Sequence, residues 1–177
     1  MLNDAAFARD GDERQRLLLA KDEIRDLRRW YAIGTDLLGR PDGFARGLAV
    51  YRRIFAADAR ISVRGGARAL SGEGPEAWAE VARNALKDYA ATQHLIGSQV
   101  VTFSGVTFNG KPPEITGGHA EMLSYVQAWH AWPDRRLRLV LGTYEDTVRF
   151  EADVGWQIAE MVLVYTDEEY RPLGDAR

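Results

Sequence analysis

Apolar residues Leu17, Ala20, Ile24, Leu27, Tyr31 and Leu38 recur at steps of three, four and seven, the stripe of an amphipathic helix, and predict a helix over residues 12–38. Gly39, Pro41 and Gly43 then break it. A second helix is expected over 44–55, a short strand over 58–63 with Ile61 and Val63 on one side, and a turn at Gly65 and Gly66. Pro75, whose fixed φ suits a first helical turn, opens a third helix through Trp78, Val81, Ala82, Ala85 and Tyr89. After Ala91 the pattern changes to period-two stretches rich in Val, Ile, Thr, Phe and Tyr. These predict strands over 93–103, 118–131, 136–150 and 155–165. Residues 105–117, with Asn109, Gly110, Pro112 and Pro113, read as a loop reaching over a pocket or into a neighbouring subunit. Helices grouped first and long strands last predict an α+β domain, its helices closing over one face of a curved, mostly antiparallel sheet. The concave face so formed is a natural small-molecule pocket.

Composition narrows this picture. With 177 residues and 46 % apolar side chains the chain suits one domain, 1–177, with one substantial core. A formal charge of −3 gives no bias toward nucleic acid or an anionic membrane surface. The absence of cysteine removes disulfides, thiolate nucleophiles and cysteine-held metals, and fits a reducing compartment. Leu17, Leu18, Leu19 and Ala20 form too short a run for a signal-peptide core or a membrane span, so a cytoplasmic location is expected. There is no Gly-rich phosphate loop, no Gly-x-Ser-x-Gly elbow and no histidine pair at helical spacing, so no organic or metal cofactor is implied.

Several short patterns stand in a suggestive order: Tyr31 to Asp36 in the first helix, Ile54-Phe55-Ala56-Ala57-Asp58-Ala59, Thr92-Gln93-His94 and His119-Ala120-Glu121. Gly142-Thr143-Tyr144-Glu145-Asp146 and Gly155-Trp156 follow. In this order they resemble the nuclear-transport-factor-2-like superfamily over about residues 22–165, in particular its SnoaL-like branch with polyketide cyclases, scytalone dehydratase and bile-acid 7α-dehydratase. The resemblance implies a cone-shaped α+β barrel and cofactor-free acid–base chemistry. It also implies a pocket set of His94, Asp36, Tyr31, Tyr51 and His119. The connection after the first helix leaves Asp42 as an alternative to Asp36. On a helical wheel Tyr31 and Asp36 point ~140° apart, so both reach one cavity only if the helix unwinds near Gly34 or the Tyr31 side chain bends across.

Strand alternation places His94 with Ile96, Ser98 and Val100 on one apolar face. A neutral imidazole there can take a proton from carbon beside a carbonyl, with a carboxylate fixing its tautomer. Tyr31, Tyr51 and His119 are the expected donors toward the carbonyl or leaving group; core packing is the other reading of the two tyrosines. His130, eleven residues beyond His119, faces the opposite side and is assigned to the outer face beside Trp129 and Trp132. Tyr144 and Asp146 share a face and are read as mainly structural. The pairs Arg28-Arg29, Arg52-Arg53 and Arg135-Arg136 are read as solvated or interface surface.

Two functions compete. The preferred one is a lyase or isomerase acting on a small hydrophobic, ring-containing carbonyl or hydroxyl compound by dehydration, double-bond shift, ring closure or retro-aldol cleavage. The other is a non-catalytic assembly or ligand-binding module like the small subunits of aromatic-ring dioxygenases. Either way a homo-oligomer, dimer or trimer, is expected to cover an outer sheet face carrying Trp129, Trp132 and Val126.

Overall fold

The computed structural model describes residues 8–65 and 69–174; the expected turn residue Gly66 lies outside them. Helix α1 spans Gly11–Leu38 and is capped by Asp10, whose side chain accepts a hydrogen bond from the Glu13 backbone N–H at 2.9 Å. All six stripe residues are buried, so the pattern that predicts the helix also fixes the face it turns to the core. Helix α2 (Phe44–Ile54) crosses α1 where Gly47 meets Gly34 and Leu38. A Cβ on Gly47 would stand 2.8 Å from the Gly34 carbonyl oxygen and 2.6 Å from Leu38 Cγ, so only glycine permits this approach. The crossing holds the last turn of α1, which carries Asp36.

Strands β1 (Phe55–Arg64) and β2 (Leu70–Glu73) precede α3 (Gly74–Leu86), and β3 (Ala91–Asn109), β4 (Glu114–Ala131), β5 (Arg136–Glu151) and β6 (Gly155–Pro172) follow. They form one six-stranded sheet in the order β2-β1-β6-β5-β4-β3. The β1–β6 pair is parallel and every other pair antiparallel. The sheet curves without closing, with β2 and β3 as its edges; this α+β arrangement is the expected one, as an open sheet and not a closed barrel. The inner face, carrying Phe103, Met122, Tyr144, Val148, Ile158 and Met161, packs against α1 and its neighbours as one apolar cluster.

Four expectations change. The segment 105–117 is mostly strand: Gly105 pairs with His119, Thr107 with Gly117 and Asn109 with Glu114, leaving a turn only around Gly110. Gly105 and Gly117 pair within the long hairpin, while Gly110, Pro112 and Pro113 make its turn. Helix α3 stops at Leu86, and the Tyr89 N–H donates to the Leu86 carbonyl at 3.1 Å in a turn that carries Tyr89 off the helix. In β3 a bulge between Gly97 and Val100, with Ser98 at φ 46°, adds one residue against β4. The extra residue inverts the alternation. His94 and Ile96 therefore share the inner side with Val101 and Phe103, while Val100 is exposed. Val126, assigned to the outer face, is buried; the outer apolar residues are Leu95, Val100, Leu123 and Tyr125. Among the described residues no helix is long and apolar enough to cross a membrane.

Candidate active site

The start of β3 and the last turn of α1 meet at one carboxylate. Asp36 Oδ1 lies 2.8 Å from His94 Nδ1 and accepts from Thr92 Oγ1 at 2.8 Å, while Oδ2 accepts from the His94 backbone N–H at 3.2 Å. Thr92 and His94 lie two apart on one strand face, which lets a single aspartate bridge both. An ionised carboxylate only accepts, so facing one His94 Nδ1 carries a proton, and in the neutral imidazole Nε2 then keeps the lone pair. The His94 side chain is 7 % exposed and that of Asp36 18 %, so the pair is largely shielded yet reachable. The alternative, Asp42, sits exposed in the connection after α1. Helix α1 runs unbroken to Leu38, so Asp36 reaches His94 without Tyr31 turning to the same place.

The histidine beside His94 is His130, and the expected placement of His119 is corrected. On β4 the residues Ala120, Met122, Val126, Ala128 and His130 are buried in alternation, and His119 belongs to the other, exposed row. The two do face opposite sides, but the inner one is His130. Its ring stands edge-on to His94 with centroids 5.6 Å apart and lies 4.8 Å from the Tyr89 ring. Nδ1 of His130 is buried without a hydrogen-bond partner among the described residues. Burial, with the electrostatic influence of His94 and Arg138 adding to it, pulls its pKa down to about 3. It is therefore neutral near pH 7. In the unfolded chain the ring titrates near ~6.5, so below that pH the unfolded state takes up a proton that the folded state refuses. Stability should fall between about pH 6.5 and about 3, by at most ~1.4 kcal/mol per pH unit from this one group. In urea titrations at stepped pH, His130→Leu should lose that part of the slope.

A polar wall continues from His130. Arg138, its register partner on β5, donates to Glu168 Oε2 from Nε (2.8 Å) and Nη2 (2.6 Å). The same guanidinium donates to the Tyr89 hydroxyl at 3.2 Å and the Tyr165 hydroxyl at 3.3 Å. Burial works against its charge, but the bonds to Tyr89 and Glu168 prevail and hold it protonated. Burial likewise raises the Tyr165 phenol, so it keeps its proton. Trp132 packs 4.8 Å from the Tyr89 ring and stacks on Tyr170 at 6.0 Å, giving the wall an aromatic rim.

Tyr31 and Tyr51 lie elsewhere, in the core. They stack on each other at 5.4 Å and meet Phe55 and Tyr144 edge-on. The Tyr51 hydroxyl shares a 2.7 Å hydrogen bond with Thr35 Oγ1, and Tyr31 OH accepts from Trp78 Nε1 at 3.3 Å. Burial raises the Tyr51 phenol well above its usual range. Both thus follow the core-packing reading. Beside them Arg28, assigned to the surface from sequence, is fully buried against Asp146 with its guanidinium between the Tyr144 and Tyr31 rings, 3.8 and 4.5 Å from their centroids. Burial pushes the Asp146 carboxyl up and Arg28 pulls against that shift.

The residues missed from sequence are Thr92, Tyr89, Arg138, Tyr165 and Glu168, and His130 was placed on the wrong face. Thr92 was findable by its two-residue spacing from His94. The Arg138–Glu168 contact joins strands 30 positions apart in sequence and leaves no local signal. Among the described residues no three His, Asp or Glu side chains gather as a metal cage.

Residues 16–162 match the SnoaL-like domain, and the chain belongs to that family. Many solved structures share its fold. A candidate scytalone dehydratase from Novosphingobium aromaticivorans is 18 % identical with TM-score 0.62, over 90 % of this chain and 97 % of that one. The hexachlorocyclohexane dehydrochlorinase LinA-type3 from Novosphingobium barchaimii is 16 % identical with TM-score 0.63, over 90 % and 93 %. The β subunit of a candidate aromatic-ring-hydroxylating dioxygenase from N. aromaticivorans is 16 % identical with TM-score 0.58, over 85 % and 92 %. At these identities the likeness is one of fold. No curated protein sequence matches the chain significantly.

Proposed function

We propose that the chain is a lyase or isomerase in which His94, oriented by Asp36, removes a proton from carbon next to a carbonyl. The observation that carries this reading is the 2.8 Å contact between His94 Nδ1 and Asp36, which leaves Nε2 as the basic nitrogen. In a dehydration the C–H electron pair becomes the new C=C bond, and the leaving hydroxyl accepts the proton from the His94 imidazolium and departs as water. The imidazole is thereby regenerated and no co-reactant is consumed. An isomerisation differs only in returning the proton to another carbon. The Asp36 carboxylate supplies the counter-charge that stabilises the transient imidazolium. A small hydrophobic substrate suits a site bounded by Tyr89, Trp132 and Tyr170.

The dehydratase and dehydrochlorinase among its structural relatives agree with an elimination; the dioxygenase β subunit keeps an assembly role as the rival. Proton exchange separates the two. Cyclic and aryl ketones and their β-hydroxy derivatives, incubated with the protein in deuterium oxide, should gain deuterium beside the carbonyl with wild type and not with folded His94→Ala. Equal incorporation by both proteins, or none by either across the panel, would sink the enzymatic reading.

A further inference from the structure

We propose that Tyr89 and Tyr165, bridged by Arg138, form a two-donor site for the carbonyl oxygen of an uncharged, enolisable substrate. This rests on the acid–base reading above and adds the chemical class that the site accepts. Arg138 donates to both hydroxyls, at 3.2 and 3.3 Å. A phenol oxygen that accepts from a guanidinium must aim its own proton elsewhere, and the bond it accepts makes that proton a better donor. Among the described residues neither proton meets an acceptor, and both side chains are only half-buried. Tyr31 and Tyr51, by contrast, are closed off in the core.

The charge balance selects the substrate. Of the five N–H groups of a guanidinium, Arg138 directs two at Glu168 and one at each phenol. Tyr170 OH donates to the other Glu168 oxygen at 3.2 Å and holds that carboxylate in place. Glu168 already neutralises this cation, so a substrate carboxylate would approach a paired charge and be repelled by Glu168 itself. A ketone need not, because its oxygen becomes negative only as the α-proton leaves, and then meets two neutral donors already in place. The wall is also close to the base: Tyr89 packs on His130, which packs on His94. Arg138 acts through the phenols and is a positioning residue.

Phenolates mimic the enolate that such a site would stabilise. Para-substituted phenols of increasing acidity, titrated at fixed pH with absorbance detection, should bind wild type more tightly as acidity rises and bind as phenolates. Tyr89→Phe and Tyr165→Phe should each weaken binding roughly ten- to a hundredfold and shift the bound spectrum toward the neutral phenol. Arg138→Lys should reduce the phenolate fraction, and His94→Gln should retain it. Absence of bound phenolate in wild type, unchanged binding in both Tyr→Phe variants, or tighter binding of benzoate than of a phenol of equal size each overturns the proposal. Deuterium exchange that fails while phenolate binding stands rejects His94 as base and leaves the donor pair; the reverse pattern rejects the donor pair alone.

Discussion

Asp146→Ala is expected to destabilise the fold by about 3–5 kcal/mol, since it leaves Arg28 buried with no counter-charge. Arg28 and Asp146 are both fully buried at the side chain, and Arg28 Nε donates to Asp146 Oδ2 at 3.2 Å while Nη2 donates to Oδ1. The Arg28 Nη1 also contacts Met161 Sδ at 3.3 Å, so the guanidinium joins α1 to both β5 and β6. Without the carboxylate, only the flanking rings of Tyr144 and Tyr31 remain to offset the charge. For a chain of this size the loss corresponds to a fall of roughly 6–20 °C in Tm. Replacing both partners with apolar residues, Arg28→Met with Asp146→Leu, should recover most of it, since the charge is removed together with its partner. Glu76→Ala, which breaks the exposed Arg52–Glu76 pair, should leave stability nearly unchanged. Urea denaturation of the four proteins separates these outcomes.

Asp36→Asn is expected to lower kcat by on the order of 10²–10⁴-fold while leaving the fold intact. Asp36 receives three donors on two oxygens: Thr92 Oγ1, the His94 backbone N–H and His94 Nδ1. An asparagine has one acceptor oxygen. If its amide group faces the ring, Nδ1 must accept and the proton moves to Nε2, which turns the base into a donor. If its oxygen faces the ring, the backbone N–H of His94 loses its partner and the imidazolium loses its counter-charge. Either arrangement acts on the proton-transfer step, so kcat should fall more than KM changes. A KM rise with kcat unchanged would mean that Asp36 serves binding alone.

Much of the scaffold was legible because its signals are local and periodic. The stripe from Leu17 to Leu38 marked the buried face of α1, and alternation marked the four long strands. The short edge strand β2 escaped because four residues, Leu70–Glu73, are too few for a period to show. The inner pairing of β4 was readable in principle. Glu121 and Gln127 share the His119 row, while Ala120, Met122, Val126 and Ala128 share that of His130, so polarity marks His119 as the outward histidine. Arg28 was misplaced because an arginine is presumed solvated unless a partner is known, and Asp146 lies 118 residues away. The bulge at Ser98 was invisible to a strict period of two, which carried Val100 to the wrong face. The Arg138 wall depends on contacts between β5, β6 and the turn before β3, which only the assembled sheet brings together.

In the proposed mechanism His94 presents an unprotonated Nε2 because Asp36 holds the proton on Nδ1. Nitrogen-15 NMR of the histidine rings near neutral pH, with His94 assigned by its absence in His94→Ala, reads this directly. A protonated Nδ1 with a strongly downfield proton and an Nε2 shift typical of a bare ring nitrogen are expected, both altered in Asp36→Asn. A proton found on Nε2 with Nδ1 bare, or a His94 signal indifferent to Asp36→Asn, would overturn that mechanism.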